Sequence, residues 1–309
     1  MLWFMKKENN KTLNDVLNIL KRDEISITIN KAKKNGDYKR SKFGGKPAVS
    51  KDFIWPRYEG DNYDGETDNR PLSFLCQINL EDIEKYDKEN LLPHNGLLLF
   101  FYEQETMRWG FDPKDEGCSR VFYFDNTSYL EEKDFPSDLK EEYIVNEYDL
   151  SFSSGISYPS YEEVGCYMKV DCDWDSYDEA VEKAGFEIIC ERHKLLGYAD
   201  LIQGEMLSEC ERVSRNLYCG DDKSYQNTSE EEKADIEKAS KEWILLFQMA
   251  SIQDEKYELM FGDLGNLYFY IRKSDLKDKK FEKVWLVLQC GWREFLLIKF
   301  RDIALKRGK

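Results

Sequence analysis

Pro71-Leu72-Ser73-Phe74-Leu75-Cys76-Gln77-Ile78-Asn79-Leu80 is the stretch on which the fold turns. Its apolar core is short, holds aromatic and β-branched side chains, and is closed by Pro before and Asn after. A bounded apolar run of about 4–8 residues reads as a largely buried strand rather than a helix. Two runs of the same kind come after it, Gly96-Leu97-Leu98-Leu99-Phe100-Phe101-Tyr102 and Val121-Phe122-Tyr123-Phe124, and Phe43-Gly44-Gly45-Lys46-Pro47 precedes it as a glycine turn. The second half of the chain has the same order: Leu196-Gly197-Tyr198-Ala199, Ile244-Leu245-Leu246-Phe247-Gln248-Met249, Gly265-Asn266-Leu267-Tyr268-Phe269-Tyr270-Ile271 and Val284-Trp285-Leu286-Val287. The blocks are separated by 152 (Gly45 to Gly197), 171 (Gln77 to Gln248), 169 (Gly96 to Gly265) and 163 residues (Val121 to Val284). We read this order as an internal duplication.

The run from Leu97 to Tyr102 is apolar on both faces, so its strand is expected to be covered on both sides. Helices are fewer. Leu13, Val16, Leu17 and Leu20 place one face on a helix over 12–22. Asn79 caps a short helix, Ser229 with Glu232 forms a capping box for 229–241, and Ser176 with Glu179 opens another helix that ends near Gly185. Met206, Cys210, Val213 and Leu217 follow 4-3-4 spacing, with Gly220 as the stop. The expected fold class is α+β: duplicated strand-rich halves forming mostly antiparallel sheets, with helices outside. The expected organisation is a first half at 1–124, an acidic connecting region at 125–190 and a second half at 191–309, packed as one unit.

At 309 residues and 41% hydrophobic composition the chain supports a real core. No apolar run reaches the roughly 18 residues of a spanning helix, so no membrane segment is expected. Met1-Leu2-Trp3-Phe4-Met5-Lys6-Lys7 lacks the order of a secretory signal, and a cytoplasmic location is the expectation. The eight cysteines show no C-x-x-C spacing, which fits small apolar packing in a reducing compartment better than a disulfide framework.

Charge is uneven. Residues 1–100 hold 17 basic and 16 acidic side chains, residues 201–309 hold 19 and 20, and residues 101–200 hold 9 and 25. The whole net charge of −16 therefore lies in the middle third. This excludes a broad basic surface for nucleic acid. The densest acidic stretches include Glu131, Glu132, Glu141 and Glu142 up to Asp149, and Asp171, Asp173 and Asp175 up to Glu182. They read either as a solvated face or as a surface for a basic protein partner.

Phe43-Gly44-Gly45-x-Pro47, Trp55-Pro56, the Pro71–Leu80 stretch, Leu92-Pro93-x-x-Gly96-x-Leu98-x-Phe100-Phe101, Leu196-Gly197-Tyr198, Phe247-Gln248-Met249 and Phe261-Gly262-Asp263-x-Gly265 together resemble the bacterial YwqG-like family over about 40–290. Ala199 stands where that pattern usually has Pro. The resemblance implies a mixed α/β protein, carries no catalytic residues or activity, and, through relatives near polymorphic toxin genes, implies an immunity or partner-binding role.

Candidate chemistry is sparse. A Ser-His-Asp or Cys-His site would need His94 or His193, and no G-x-S-x-G elbow exists. Asp171 to Glu182 places acids at positions 1, 3, 5, 9 and 12 of a calcium-type loop, but Ser176 stands where the sharp turn needs Gly. Gly44-Gly45-Lys46-Pro47 lacks phosphate-loop spacing, so no cofactor and no metal is expected. Gln77 and Gln248 end matching strands, and each either satisfies backbone groups or points an amide into a central cleft with Trp55 and Asp263. Two readings stay open: a binding protein with an acidic partner surface, and a small-ligand binder or enzyme using that cleft. The basic tail from Arg301 to Lys309 is a local patch that can pair with the acidic middle of another copy.

Overall fold

The apolar runs do form strands, and they join into one sheet. In the computed structural model, which describes residues 12–33, 37–186, 192–254 and 257–291, ten strands pair antiparallel. In chain order they are β1 (Arg22–Lys31), β2 (Lys42–Phe43), β3 (Ser73–Asn79), β4 (Leu97–Tyr102), β5 (Ser119–Phe124), β6 (Tyr148–Ser157), β7 (His193–Leu195), β8 (Trp243–Ala250), β9 (Asn266–Arg272) and β10 (Trp285–Gln289). Across the sheet the order is β10-β9-β8-β7-β1-β6-β2-β3-β4-β5. The mixed α+β class is as expected. The two halves, however, share one continuous sheet instead of forming sheets of their own.

The join is made by β1 and β6, which pair over ten residues from Arg22 opposite Ser157 to Lys31 opposite Tyr148. Both strands carry exposed polar side chains such as Thr28, Ser151 and Ser153, so neither shows as an apolar run. The region 125–190 therefore supplies a central strand as well as acidic surface. β1 pairs with β7 of the second half, and β6 pairs with β2 of the first, so each central strand leaves its own half of the chain.

The sheet curls until its edges nearly meet. Leu288 of β10 donates its N–H to the Trp109 carbonyl at 2.9 Å, and the Trp285 indole donates to the Gly110 carbonyl. Inside the curl, Phe100 lies 4.6 Å from Phe247 and 5.2 Å from Phe269 between ring centroids, with Phe43 against Phe247. β3, β4 and β8 are buried at nearly every position because their outer faces are covered too. Val49, Phe53, Trp55 and Leu72 belong to the same buried cluster as Phe101 and cover the first half. Helix α4 (Leu207–Ser214) and Met206 cover Trp243, Leu245, Tyr268 and Tyr270 in the second. A third cluster holds α1 (Leu13–Leu20), α2 (Tyr161–Tyr167) and α3 (Trp174–Lys183) together through Val16, Leu17, Leu20, Val164, Tyr177 and Val181.

Local expectations mostly hold, with two corrections. Thr12 and Asp15 form a reciprocal capping box at α1, Asn79 caps the one-turn helix Leu80–Ile83, and Ser229 caps α5 (Glu230–Ser240). Helix α3 begins earlier than Ser176, because the Asp173 carboxylate accepts the Ser176 N–H and becomes the cap. Helix α4 ends before Gly220: Asn216 adopts φ +63° and Leu217 N–H folds back to the Arg212 carbonyl.

Candidate functional site

The most concentrated polar chemistry lies where β1 and β6 meet the halves they cross into. At one end, Lys42 on β2 is fully buried and donates to Glu147 at 2.8 Å. Arg40 bridges Glu147 and Asp149, both at 2.6 Å. At the other end, Lys194 on β7 is fully buried between Glu24 at 3.1 Å and Asp200 at 2.9 Å, and Arg192 bridges the same two carboxylates, both at 2.6 Å. Each cluster holds two cations and two carboxylates, so each is neutral. Burial pushes the Glu147 and Asp149 carboxyls up, but hydrogen bonds from Lys42 and Arg40 to Glu147, and from Arg40 and the Lys33 N–H to Asp149, outweigh it and hold both below their ordinary values. Burial likewise opposes the charge on Arg192, and Asp200 and Glu24 more than restore it.

The predicted glutamines belong to these clusters. Gln77 lies opposite Lys42 in the ladder; its Oε1 accepts the Ala48 N–H at 3.0 Å, and its Nε2 donates to the carbonyls of Tyr38 and Arg40. Gln248 lies opposite Lys194; its Oε1 accepts the Asp200 N–H at 2.9 Å, and its Nε2 donates to the Arg192 carbonyl and Asp200 Oδ2. Arg40, Lys42 and Ala48 each stand 152 residues before Arg192, Lys194 and Asp200. Both glutamine strands also bulge two residues earlier, at Leu75 and Leu246, and each bulge carbonyl accepts the N–H just after β2 or β7, from Gly44 or Leu196. Glycine comes next at both places for a steric reason: a Cβ on Gly45 would meet Glu147 Oε2 at 2.2 Å, and one on Gly197 would meet Ser157 Oγ at 2.4 Å and Glu24 Cβ at 2.9 Å.

Trp55 and Asp263 lie elsewhere. The Trp55 indole donates to the Leu72 carbonyl at 2.8 Å and packs edge-on to Phe101 in the core. Asp263 sits in the turn before β9, where its carbonyl accepts the Gly291 N–H. His94 faces Glu84 at 3.0 Å on the surface, and His193 Nδ1 accepts the Ala250 N–H while burial holds its pKa down to about 4. Among the described residues, neither histidine is hydrogen-bonded to a serine or cysteine. Cys190 and the tail from Arg301 lie outside the described residues. Glu131, Glu132, Glu141, Glu142, Asp171, Asp173 and Asp175 are all exposed.

Buried, salt-bridged lysines cannot reach a solvent-borne substrate, so the clusters act on the fold. Arg40, Lys42, Arg192, Lys194, Glu24 and Glu147 escaped the reading of the sequence. The signal was present: Arg40-x-Lys42-x-x-Gly45 recurs as Arg192-x-Lys194-x-x-Gly197. One open groove lies beside the second cluster, lined by Tyr158, Tyr161, Trp174, Phe186 and Asp200. A separate buried carboxyl, Glu163 on α2, is pushed up to about 7 by burial; its only hydrogen bond among the described residues comes from Tyr167 at 3.1 Å.

These features define an α+β protein built on a curled ten-stranded antiparallel sheet bolted by two buried ion clusters. The chain belongs to the family described as a domain of unknown function, DUF1963, whose model matches residues 41–290. No curated protein matches the chain. Among the described residues no helix is long and apolar enough to cross a membrane.

Proposed function

We propose that the chain is a protein-binding protein whose acidic middle third meets a basic protein partner; the toxin-immunity role implied by the YwqG-like resemblance is one form of this. The observation that carries it is the exposure of Glu131, Glu132, Glu141, Glu142, Asp171, Asp173 and Asp175, while the charges of the two ion clusters neutralise one another within the fold. A one-signed surface speeds encounter with a basic partner and selects against acidic competitors.

The same reading takes the molecule as a doubled strand module, β1 to β5 and β6 to β10, each lending its first strand to the other. Matching pairings support it: Lys42–Glu147 with Lys194–Glu24, and Arg40–Glu147 with Arg192–Glu24. In this register Leu286, rather than Val284, is the counterpart of Val121, since each faces the central Phe of the neighbouring strand.

The test is co-purification from the native host with the wild-type chain and with Glu131, Glu132, Asp171 and Asp175 reversed to Lys. Asp173 is left intact because it caps α3. Retention of a basic protein that is lost on reversal and weakened by added salt supports the reading; retention indifferent to both overturns it.

A further inference from the structure

The groove beside the second ion cluster is both aromatic and acidic. Tyr158, Tyr161 and Phe186 give it aromatic walls, Trp174 stands 43% exposed at its side, and Glu162 and Asp178 add acidic groups. Ser160, which also lines it, has a buried Oγ that lacks a hydrogen-bond partner among the described residues. Residues 160–186, which carry α2 and α3, hold eight acidic and two basic side chains.

Gln289 and Cys290, near the end of the described residues, bond to the segment that follows one wall of this groove. Gln289 Oε1 accepts the N–H groups of Ile202 and Gln203, and Gln203 Nε2 donates to the Cys290 carbonyl at 2.9 Å. Ala199, Asp200 and Leu201, the residues just before, form one wall. Beyond Gly291 the chain has 18 more residues with six basic and two acidic side chains, interleaved with Trp292, Phe295, Leu296, Phe300 and Ile303. We propose that this segment, 292–309, docks in cis into the groove, its aromatic and aliphatic side chains against the tyrosines and Trp174 and its Lys and Arg side chains on the α2–α3 carboxylates. At about 3.3 Å per extended residue its length is ample, and the covalent tether gives it a high effective concentration at the groove. The inference concerns the isolated chain and does not depend on the partner reading, although a tail seated on α3 would have to be displaced by any basic protein that used Asp171 and Asp175.

The experiment is zero-length carbodiimide crosslinking of the full chain, mapped by mass spectrometry on a mixture of 14N- and 15N-labelled copies. The expected result is links from Lys299, Lys306 or Lys309 to Glu162, Asp171, Asp175 or Asp178 within single copies, falling at least fivefold in Trp174→Ala, which removes no crosslinkable group. Hydroxyl-radical footprinting gives a second reading: Trp174 oxidation should rise at least threefold when Arg301, Lys306 and Arg307 are all changed to Glu. Links from Lys6, Lys7 or Lys11 in place of the tail lysines, tail links to Glu131–Glu142, links only between differently labelled copies, or unchanged Trp174 oxidation would each overturn the proposal.

Discussion

The two ion clusters contain the same charges on corresponding strands, yet water reaches them differently. In the Lys194 cluster Glu24 is 1% exposed, whereas in the Lys42 cluster Glu147 keeps a third of its side chain in solvent. The second carboxylate also differs in origin: Asp200 comes from the loop after Gly197, while Asp149 comes from β6 itself, two residues beyond Glu147. With the inventory of charge equal, burial is the largest difference between the clusters. A buried charge left alone cannot rehydrate, and a half-exposed one can.

The sharpest way to break this comparison is to remove each lysine. Lys194→Ala leaves Glu24 and Asp200 sharing Arg192 as their one cation among the described residues, so one negative charge stays uncompensated in the interior, and the variant should cost about 3–5 kcal/mol in urea unfolding. Lys42→Ala leaves Glu147 able to turn to water and should cost no more than about half of that. Equal losses would mean that burial does not separate the two. The glutamines come next: Gln77→Ala and Gln248→Ala each orphan a backbone N–H and should each cost about 1–3 kcal/mol by the same measurement.

The glycines sharpen the contrast at smaller scale. Gly197→Ala pushes a methyl group to 2.9 Å from Glu24 Cβ and 2.4 Å from Ser157 Oγ, whereas Gly45→Ala makes its tightest contact with the movable carboxylate of Glu147 and reaches Glu147 Cβ at 3.1 Å. Both residues have φ near +70° (+65° and +72°), so both variants carry backbone strain, but Gly197→Ala should lose roughly 1 kcal/mol more.

Glu163 extends the comparison to a carboxyl that has no salt-bridge partner among the described residues. Its folded pKa of about 7 lies above the ordinary 4.5, so the folded state holds the proton more tightly than the unfolded state does. Stability from this group is therefore present below about pH 4.5 and falls as pH rises through 7. Glu163→Gln should raise the melting temperature at pH 8, by an amount equivalent to roughly 1–2 kcal/mol, and change little at pH 4. The paired carboxylates run the other way: Glu147 and Asp149 sit below their ordinary values, so their contribution is lost as pH falls below about 4.

Legibility followed the apolar pattern. β3, β4, β8 and β9 were readable because both faces are buried and nearly every residue is apolar. β1 and β6 were not, because their outward side chains are polar and their pairing depends on each other rather than on local sequence. Gln77 and Gln248 stood out as polar residues inside apolar strands. Lys42 and Lys194 did not, since a lysine preceded by charged and polar residues looks like surface until Glu147 and Glu24 are located 105 and 170 positions away.

By itself the amino-acid sequence determined which segments become buried strands, where glycine must turn the chain, where helices are capped, and that the net negative charge belongs to the middle third. Those properties are local: they depend on side-chain volume, backbone freedom and charge within a few residues. Only the tertiary structure decided that the halves share one sheet, that β1 and β6 cross between them, and that Glu24 and Glu147 neutralise lysines far along the chain. Pairing between distant strands is settled by which polar groups find partners when water is excluded, and that exclusion exists only once the sheet has closed around them.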